Sequence, residues 1–283
     1  MAIPSDVSKI EKHYIFMKHI IESREGILCR MDHSWNYLEA RPSPLIDIYY
    51  GRKKHLSKYA PSLQKVLSAE ENSRLQKLRR EDDKIMYILS HSLLRLLMGC
   101  RLRSDPGSIT FLKDKNGRPF IPGEKLYFNI SHTRNAFAVA IAKTYVPGID
   151  IERINRDIDH EQVAENYFSN KEIEYISRDR QERKAFYRLW TRKESLLKSI
   201  GSGIVTDLTK VEVSGDSNSL PSELFPDEKF SPLYEKYYIY SLDIDDHYLS
   251  ITIPEKRDLE IKQFTGSFIN ELIDTGAKEP VKQ

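Results

Sequence analysis

A stripe of apolar residues, Ile85, Ile88, Leu89, Leu93, Leu96 and Leu97, fixes the first element that this chain has to form. The spacing puts all six on one helical face and predicts a long helix from about Ser68 to Met98, with Gly99 as its stop. Short strands are predicted after it, at Ile109–Leu112, Leu126–Ile130 and Phe137–Ile141, with a turn at Lys115-Asn116-Gly117. A strand is also read at Leu45–Tyr50, once Arg41-Pro42-Ser43-Pro44 has broken whatever precedes it. Beyond Pro147-Gly148 the pattern recurs: a strand at Ile149–Glu152, helices around 160–180 and 182–200, and strands at 209–213, 236–243 and 247–253.

Two similar α+β halves joined near 143–148 is the fold class this implies. The boundaries read as an N-terminal extension at 1–40, an N-terminal half at 41–146, a C-terminal half at 147–265 and a tail at 266–283. Within the extension, Ile10, Tyr14, Met17 and Ile21 recur at helical spacing and suggest a short amphipathic helix, packed on the body or docking a partner. Residues 214–232, with Pro221, Pro226 and Pro232, read as a surface loop.

Composition narrows the function. In 283 residues the formal charge is only +2, which gives no reason to expect wrapping of nucleic acid. The longest apolar runs read as too short for a membrane span, and the N-terminus carries no basic segment followed by an apolar one. Cys29 and Cys100 are too few for a disulfide framework or a thiolate metal site, so a reducing cytoplasm is expected.

Three places break the apolar pattern. In Gly148-Ile149-Asp150-Ile151-Glu152, strand alternation sends Asp150 and Glu152 to one face, about 7 Å apart. That is either an ordinary strand with a wet face or half of a cation site. In the helix containing Trp190-Thr191-Arg192-Lys193-Glu194-Ser195, Lys193 falls within the stripe Phe186, Leu189, Trp190, Leu197 and Ile200, and Glu194 at its edge. A lysine there either snorkels to water or meets an anion. Glu194 with Lys198 is either a solvent-facing pair or part of a set of carboxylates and lysines around a cation and its phosphate ligands. The third break, Phe128-Asn129-Ile130-Ser131-His132-Thr133-Arg134, ends a strand in hydrogen-bonding groups suited to an anion or to a simple turn. Upstream, Lys77, Arg79, Arg80 and Lys84 form a basic cluster, either solvated or phosphate-binding. No phosphate-binding glycine loop, dinucleotide fingerprint or zinc spacing is present.

Asn116-Gly117-Arg118-Pro119, Phe128-Asn129-Ile130-Ser131-His132, Gly148-Ile149-Asp150-Ile151-Glu152 and Trp190-Thr191-Arg192-Lys193-Glu194-Ser195 with Lys198 and Gly201 follow one another in an order and spacing that resembles the 4′-phosphopantetheinyl transferases of the Sfp type. The resemblance covers roughly residues 45–255. It implies two pseudosymmetric α+β halves with small antiparallel sheets and an active site in the cleft between them. The implied reaction moves the phosphopantetheine arm of coenzyme A to a serine of an apo acyl or peptidyl carrier protein, releasing adenosine 3′,5′-bisphosphate. By the same resemblance Asp150, Glu152 and Glu194 match Mg²⁺ ligands, and Lys193 and Lys198 match cleft lysines near the diphosphate. Ser131, His132, Arg118, Arg79 and Arg80 match coenzyme contacts, and Glu172 in Phe168-Ser169-Asn170-Lys171-Glu172 matches a proposed base. Residues 160–180, with Tyr167, Phe168 and Ile173, read as a carrier-docking surface or as plain core. A monomer is expected, since both halves lie in one chain. The competing readings are a non-catalytic regulator that binds coenzyme A or a nucleotide, and a metal-dependent phosphodiesterase.

Overall fold

The computed structural model describes residues 45–201, 207–215 and 236–276, together with Tyr234 and the strand segments 21–22, 28–32 and 217–218. Two short strands, β1 (Ile21–Glu22) and β2 (Leu28–Asp32), precede β3 (Ile46–Arg52). Helical turns α1 (Lys53–Leu56) and α2 (Ala60–Leu63) lead into α3 (Ala69–Lys77) and α4 (Glu81–Leu102). A small hairpin of β4 (Leu112–Lys113) and β5 (Pro119–Phe120) is followed by β6 (Tyr127–His132), β7 (Ala136–Ala142) and β8 (Gly148–Arg153). Next come α5 (His160–Tyr167), α6 (Asn170–Ser177), α7 (Glu182–Ile200), β9 (Ser217–Asn218), β10 (Tyr237–Ile244) and β11 (His247–Ile253). The last described elements are β12 (Leu259–Gln263) and α8 (Gly266–Gly276).

The strands form a six-stranded sheet in the order β1-β2-β12-β3-β7-β6, a four-stranded sheet in the order β8-β11-β10-β9, and the β4–β5 hairpin. The architecture is α+β. Every position of β3 and β7 is buried, which requires cover on both faces of the larger sheet. On one face Tyr49, Phe137, Val139 and Ile141 pack against Leu89, Leu93 and Leu97 of α4. On the other, Ile48, Tyr50, Ala138 and Ala140 meet Ile149, Ile151, Leu249 and Ile251 of the smaller sheet. The alanines of β7 on that face keep the two sheets close. On the far side of the smaller sheet, α7 contributes Phe186, Leu189, Leu196 and Ile200 to a third cluster with Ile239 and Val213.

Several expectations are corrected. The single helix over 68–98 is two helices, because Leu78 and Arg80 are extended. Ser68 and Glu71 close a capping box at the start of α3, while Glu81, Asp82 and Asp83 favour the positive end of α4. Gly99 does not stop α4, which runs to Leu102 and closes at the left-handed Arg103. Gly99 instead makes room for Pro106, whose Cγ lies 2.7 Å from where a Cβ would stand. Residues 209–213 are not a strand: a 3-10 turn at Leu208–Lys210 leads into the buried Val211 and Val213. Ile109 precedes rather than joins β4.

At the N-terminus, Ile10, Tyr14 and Met17 lie outside the described residues, whereas Ile21 stands in β1. β12 and α8, assigned from sequence to the C-terminal half and the tail, belong to the six-stranded sheet and its helix layer. β12 runs parallel to both β2 and β3. Its Lys262 reaches the buried Asp47 of β3 at 2.5 Å, and Arg101 of α4 pairs with the same carboxylate. α4 is long and apolar enough by length and composition to cross a membrane, contrary to the expectation from sequence, but 67% of that stretch is buried in the protein.

The smaller sheet and α7 approach to backbone contact. A Cβ on Gly148 would sit 1.8 Å from the carbonyl oxygen of Ser195. Thr191, Ser195 and Ser199 recur every fourth residue on this face of α7. Their hydroxyls meet Ser250 at 2.7 Å, Thr252 at 2.8 Å and the Val146 carbonyl at 2.9 Å. At the opposite end of β8 the sheets are tied by Arg52, which pairs with Asp245 and Asp246, and by His247 Nε2, which meets Asn135 Oδ1 at 2.8 Å; Arg153 pairs with Asp246 within the smaller sheet.

Gly148→Ala is expected to destabilise by about 3 kcal/mol or more, since the obstacle is backbone rather than a movable side chain; a urea midpoint shift reads it. His247 gives a pH signature. Burial pulls its folded pKa from the ordinary 6.5 down to about 4. The unfolded chain therefore takes up the proton first. The stability this neutral ring contributes is full above pH 6.5 and is lost as the pH falls toward 4, at roughly 3 kcal/mol in all. Urea midpoints from pH 7 to 4.5 should fall less steeply in His247→Gln than in the wild type.

Candidate active site

β8 is the edge of its sheet, so the N–H groups on its outer side need partners from elsewhere. β6 supplies them with side chains. Asn129 and Ser131, two residues apart on one face, accept from the Ile149 and Ile151 N–H groups through Oδ1 and Oγ, each at 3.3 Å. Ser131 then donates its own proton to Asp150 Oδ1 at 2.8 Å. The polar end of β6 is thus a dock for β8, and it fixes the carboxylate of Asp150.

From α7, Lys198 Nζ reaches the same Asp150 oxygen at 2.6 Å and Ser131 Oγ at 3.2 Å. Asp150 is 3% exposed, and its second oxygen, Oδ2, is buried with no hydrogen-bond partner. Glu152 and Glu194 stand close to this pair. Burial, then the Asp150 charge, pushes Glu152 up to about 7, with Lys198 opposing. The same causes in the same order raise Glu194. Three carboxylates and one ammonium therefore share a desolvated space, an arrangement short of positive charge. An orphaned carboxylate oxygen and two carboxyls held high by burial and by the Asp150 charge suit a hard, oxygen-seeking cation such as Mg²⁺. The three carboxylates stand wider apart than a closed ligand shell. Among the described residues, the set with all ligand atoms within 4.8 Å of one another is His160, Glu161 and Glu182, at the N-terminal ends of α5 and α7.

Of the predicted anion contacts, His132 feels the Lys198 charge and Arg118 lies at the end of α7 that bears Lys198. His132 ends β6 at the surface, and desolvation followed by the Lys198 charge lowers its pKa, with Asp83 of α4 opposing. Arg79 and Arg80 are exposed in the break before α4, at the end of the helix that carries Asp83. Arg118 pairs with Asp114 at 3.1 Å, and its guanidinium lies against Gly201. Gly201 ends α7 in the left-handed conformation, and its carbonyl accepts from Asn116 Nδ2 at 2.6 Å. The β4–β5 turn is so fastened to the helix end that bears Lys198.

Lys193 and Glu172 are not brought to the cluster. Lys193 and Glu194 are neighbours on a helix and diverge by about 100°. Lys193 Nζ meets Glu172 Oε2 at 2.8 Å, in a pair whose side chains are 1% and 0% exposed. The ammonium also donates to the carbonyls of Leu208, at 2.9 Å, and Val211, and lies 5.1 Å from the centre of the Phe168 ring. Burial lowers its pKa and Glu172 opposes that. Both oxygens of Glu172 are engaged, Oε2 also accepting from Ser169 N–H at 2.9 Å and Oε1 from Val213 N–H at 2.8 Å. A carboxylate so enclosed and so fully bonded is not placed to take a proton from an arriving serine. Of the docking residues, Phe168 is core and Ile173 packs against it, whereas Tyr167 is 42% exposed beside Trp190.

A family model described as the 4′-phosphopantetheinyl transferase superfamily matches residues 147–252, which hold the acidic cluster and Lys198. A second, described as the N-terminal part of 4′-phosphopantetheinyl transferase, matches residues 56–144, which hold Arg79, Arg80, Arg118, Ser131 and His132. The transferase Sfp of Bacillus subtilis (strain 168) is 30% identical over 175 residues, covering 61% of this chain and 76% of that protein. The chain belongs to the 4′-phosphopantetheinyl transferases. The family member gsp of Aneurinibacillus migulanus is 28% identical over 194 residues, 66% of this chain and 79% of its own. HetI of a Nostoc species is 31% identical over 155 residues, 52% of this chain, which spans 65% of the HetI length.

Within this transferase the Glu172–Lys193 pair has a testable energetic signature. Lys193→Met leaves a buried carboxylate without its ammonium and is expected to cost about 3–5 kcal/mol. Glu172→Gln/Lys193→Met should recover most of that loss, as read by urea midpoints.

Proposed function

We propose that the chain transfers the 4′-phosphopantetheine group from coenzyme A to a serine hydroxyl of an acyl or peptidyl carrier protein, releasing adenosine 3′,5′-bisphosphate. The observation that carries this reading is the convergence of Asp150 and Glu152 from β8 with Glu194 and Lys198 from α7, in a space short of positive charge. Coenzyme A brings a diphosphate, and phosphoryl transfer needs mainly positioning and cancellation of its charge.

Asp150, Glu152 and Glu194 would hold Mg²⁺, which when bound supplies Lewis-acid neutralisation of the diphosphate oxygens. The chain's own groups do the rest. The Lys198 ammonium neutralises a diphosphate oxygen, and Ser131 keeps Asp150 oriented from below. His132, Arg118, Arg79 and Arg80 line the approach as phosphate contacts. The acceptor serine oxygen bonds to the phosphorus next to pantetheine as that phosphorus loses its bond to the adenosine bisphosphate. The serine proton goes to a group open to the cleft. Glu172 and Lys193 act at a distance, holding the 208–213 segment on α6 and α7. The proposal includes a monomer working in a reducing cytoplasm, with no nucleic acid or membrane partner.

Mixing the protein with apo carriers of the fatty-acid, polyketide and peptide-synthetase types, coenzyme A and Mg²⁺ should give a phosphopantetheine mass gain on at least one carrier. Coenzyme binding with no gain on any of them would favour the regulator. Asp150→Ala and Glu194→Ala should each lower transfer by on the order of a hundredfold or more, with an unchanged circular-dichroism spectrum.

A further inference from the structure

The ammonium of Lys198 stands on the carboxylate that would hold the cation. It bonds the one Asp150 oxygen that Ser131 also bonds, and it leaves Oδ2 without a partner. The two ends of this ion pair differ in freedom: the Asp150 side chain is 5% exposed and that of Lys198 is 30% exposed. Asp150 is pinned between strands, whereas Lys198 comes in from the last turn of α7 on a flexible four-carbon stem. Glu194 stands one turn before Lys198 on the same side of the helix. A bare diphosphate approaching this space meets three carboxylates, and a bare divalent ion approaching Asp150 meets an ammonium. Each obstacle is removed by the other ligand.

We propose that Lys198 is an internal counter-ion that balances the Asp150 charge until a diphosphate draws it away, so that the divalent ion and coenzyme A bind as a coupled pair rather than singly. The inference rests on the transferase reading and adds an order of events to it. Coupling of this kind is reciprocal: the factor by which coenzyme A tightens the ion is the factor by which the ion tightens coenzyme A.

The test titrates Mn²⁺ into the full chain and follows binding by calorimetry and by the spin-resonance signal of free Mn²⁺, without carrier protein and therefore without turnover. Lys198→Gln is expected to bind Mn²⁺ alone on the order of tenfold tighter than the wild type, while Lys198→Arg, which keeps the charge, stays near the wild-type value. With coenzyme A present the wild type should gain severalfold in Mn²⁺ affinity, and Lys198→Gln should gain little. Circular dichroism checks that each variant is folded. Asp150→Asn separates the two readings. If it abolishes Mn²⁺ binding while Lys198→Gln binds no tighter than the wild type, the counter-ion is overturned and the metal assignment stands. If Asp150→Asn leaves Mn²⁺ binding unchanged, the ion lies elsewhere, and both the assignment and this inference are overturned.

Discussion

The site depends on a strand and a helix touching backbone to backbone. Helices pack on sheets through side chains, and those side chains set a spacing that long polar groups then have to bridge. Between β8 and α7 that spacing is removed by Gly148 on one side and by Thr191, Ser195 and Ser199 on the other. The carboxylates of β8 and the charged residues of α7 are thereby held within reach of one another. The cost is desolvation, seen in the raised carboxyls of Glu152 and Glu194. The close contact thus gathers acidic groups in a partly desolvated space.

Two carboxylate–lysine pairs in this protein show how partner count separates structure from chemistry. Glu172 has three donors on two oxygens and no exposed surface, so its charge is fully used in joining α6, α7 and the 208–213 segment. Asp150 has two donors crowded on one oxygen and none on the other. Burial alone does not distinguish them, since both are nearly solvent-free. The unspent oxygen does.

The pattern of residues told much of the fold where one period dominates. β3, β7, β8, β10 and β11 are near their expected places because short apolar runs bounded by turns admit few other readings. α7 follows from its stripe. What escaped was decided by distant partners. The break between α3 and α4 falls at the extended Leu78 and Arg80, with an acidic first turn on α4, inside an otherwise helical pattern. β12 is short, and its place depends on pairing with β2 and β3 and on the Lys262–Asp47 contact. Ser131 was legible as polar at a strand end, but its bond to Asp150 joins residues that only the packing of two sheets brings together.

The separation of the two lysines of α7, by contrast, was present in the helical period itself. Lys193 and Lys198 are five residues apart, which turns them by about 140° around the axis, whereas Glu194 and Lys198 differ by only about 40°. A single ligand beside α7 therefore meets Glu194 and Lys198 together and cannot also meet Lys193 without unwinding the helix. The same arithmetic puts Lys193 with Leu189, Leu197 and Ile200, and its nearest long-range acid is then whatever packs on that stripe, which is α6 with Glu172. A motif that reads as one run of adjacent charges is, on a helix, two sites on two faces: one closes the core around 208–213, and the other meets Asp150 of β8.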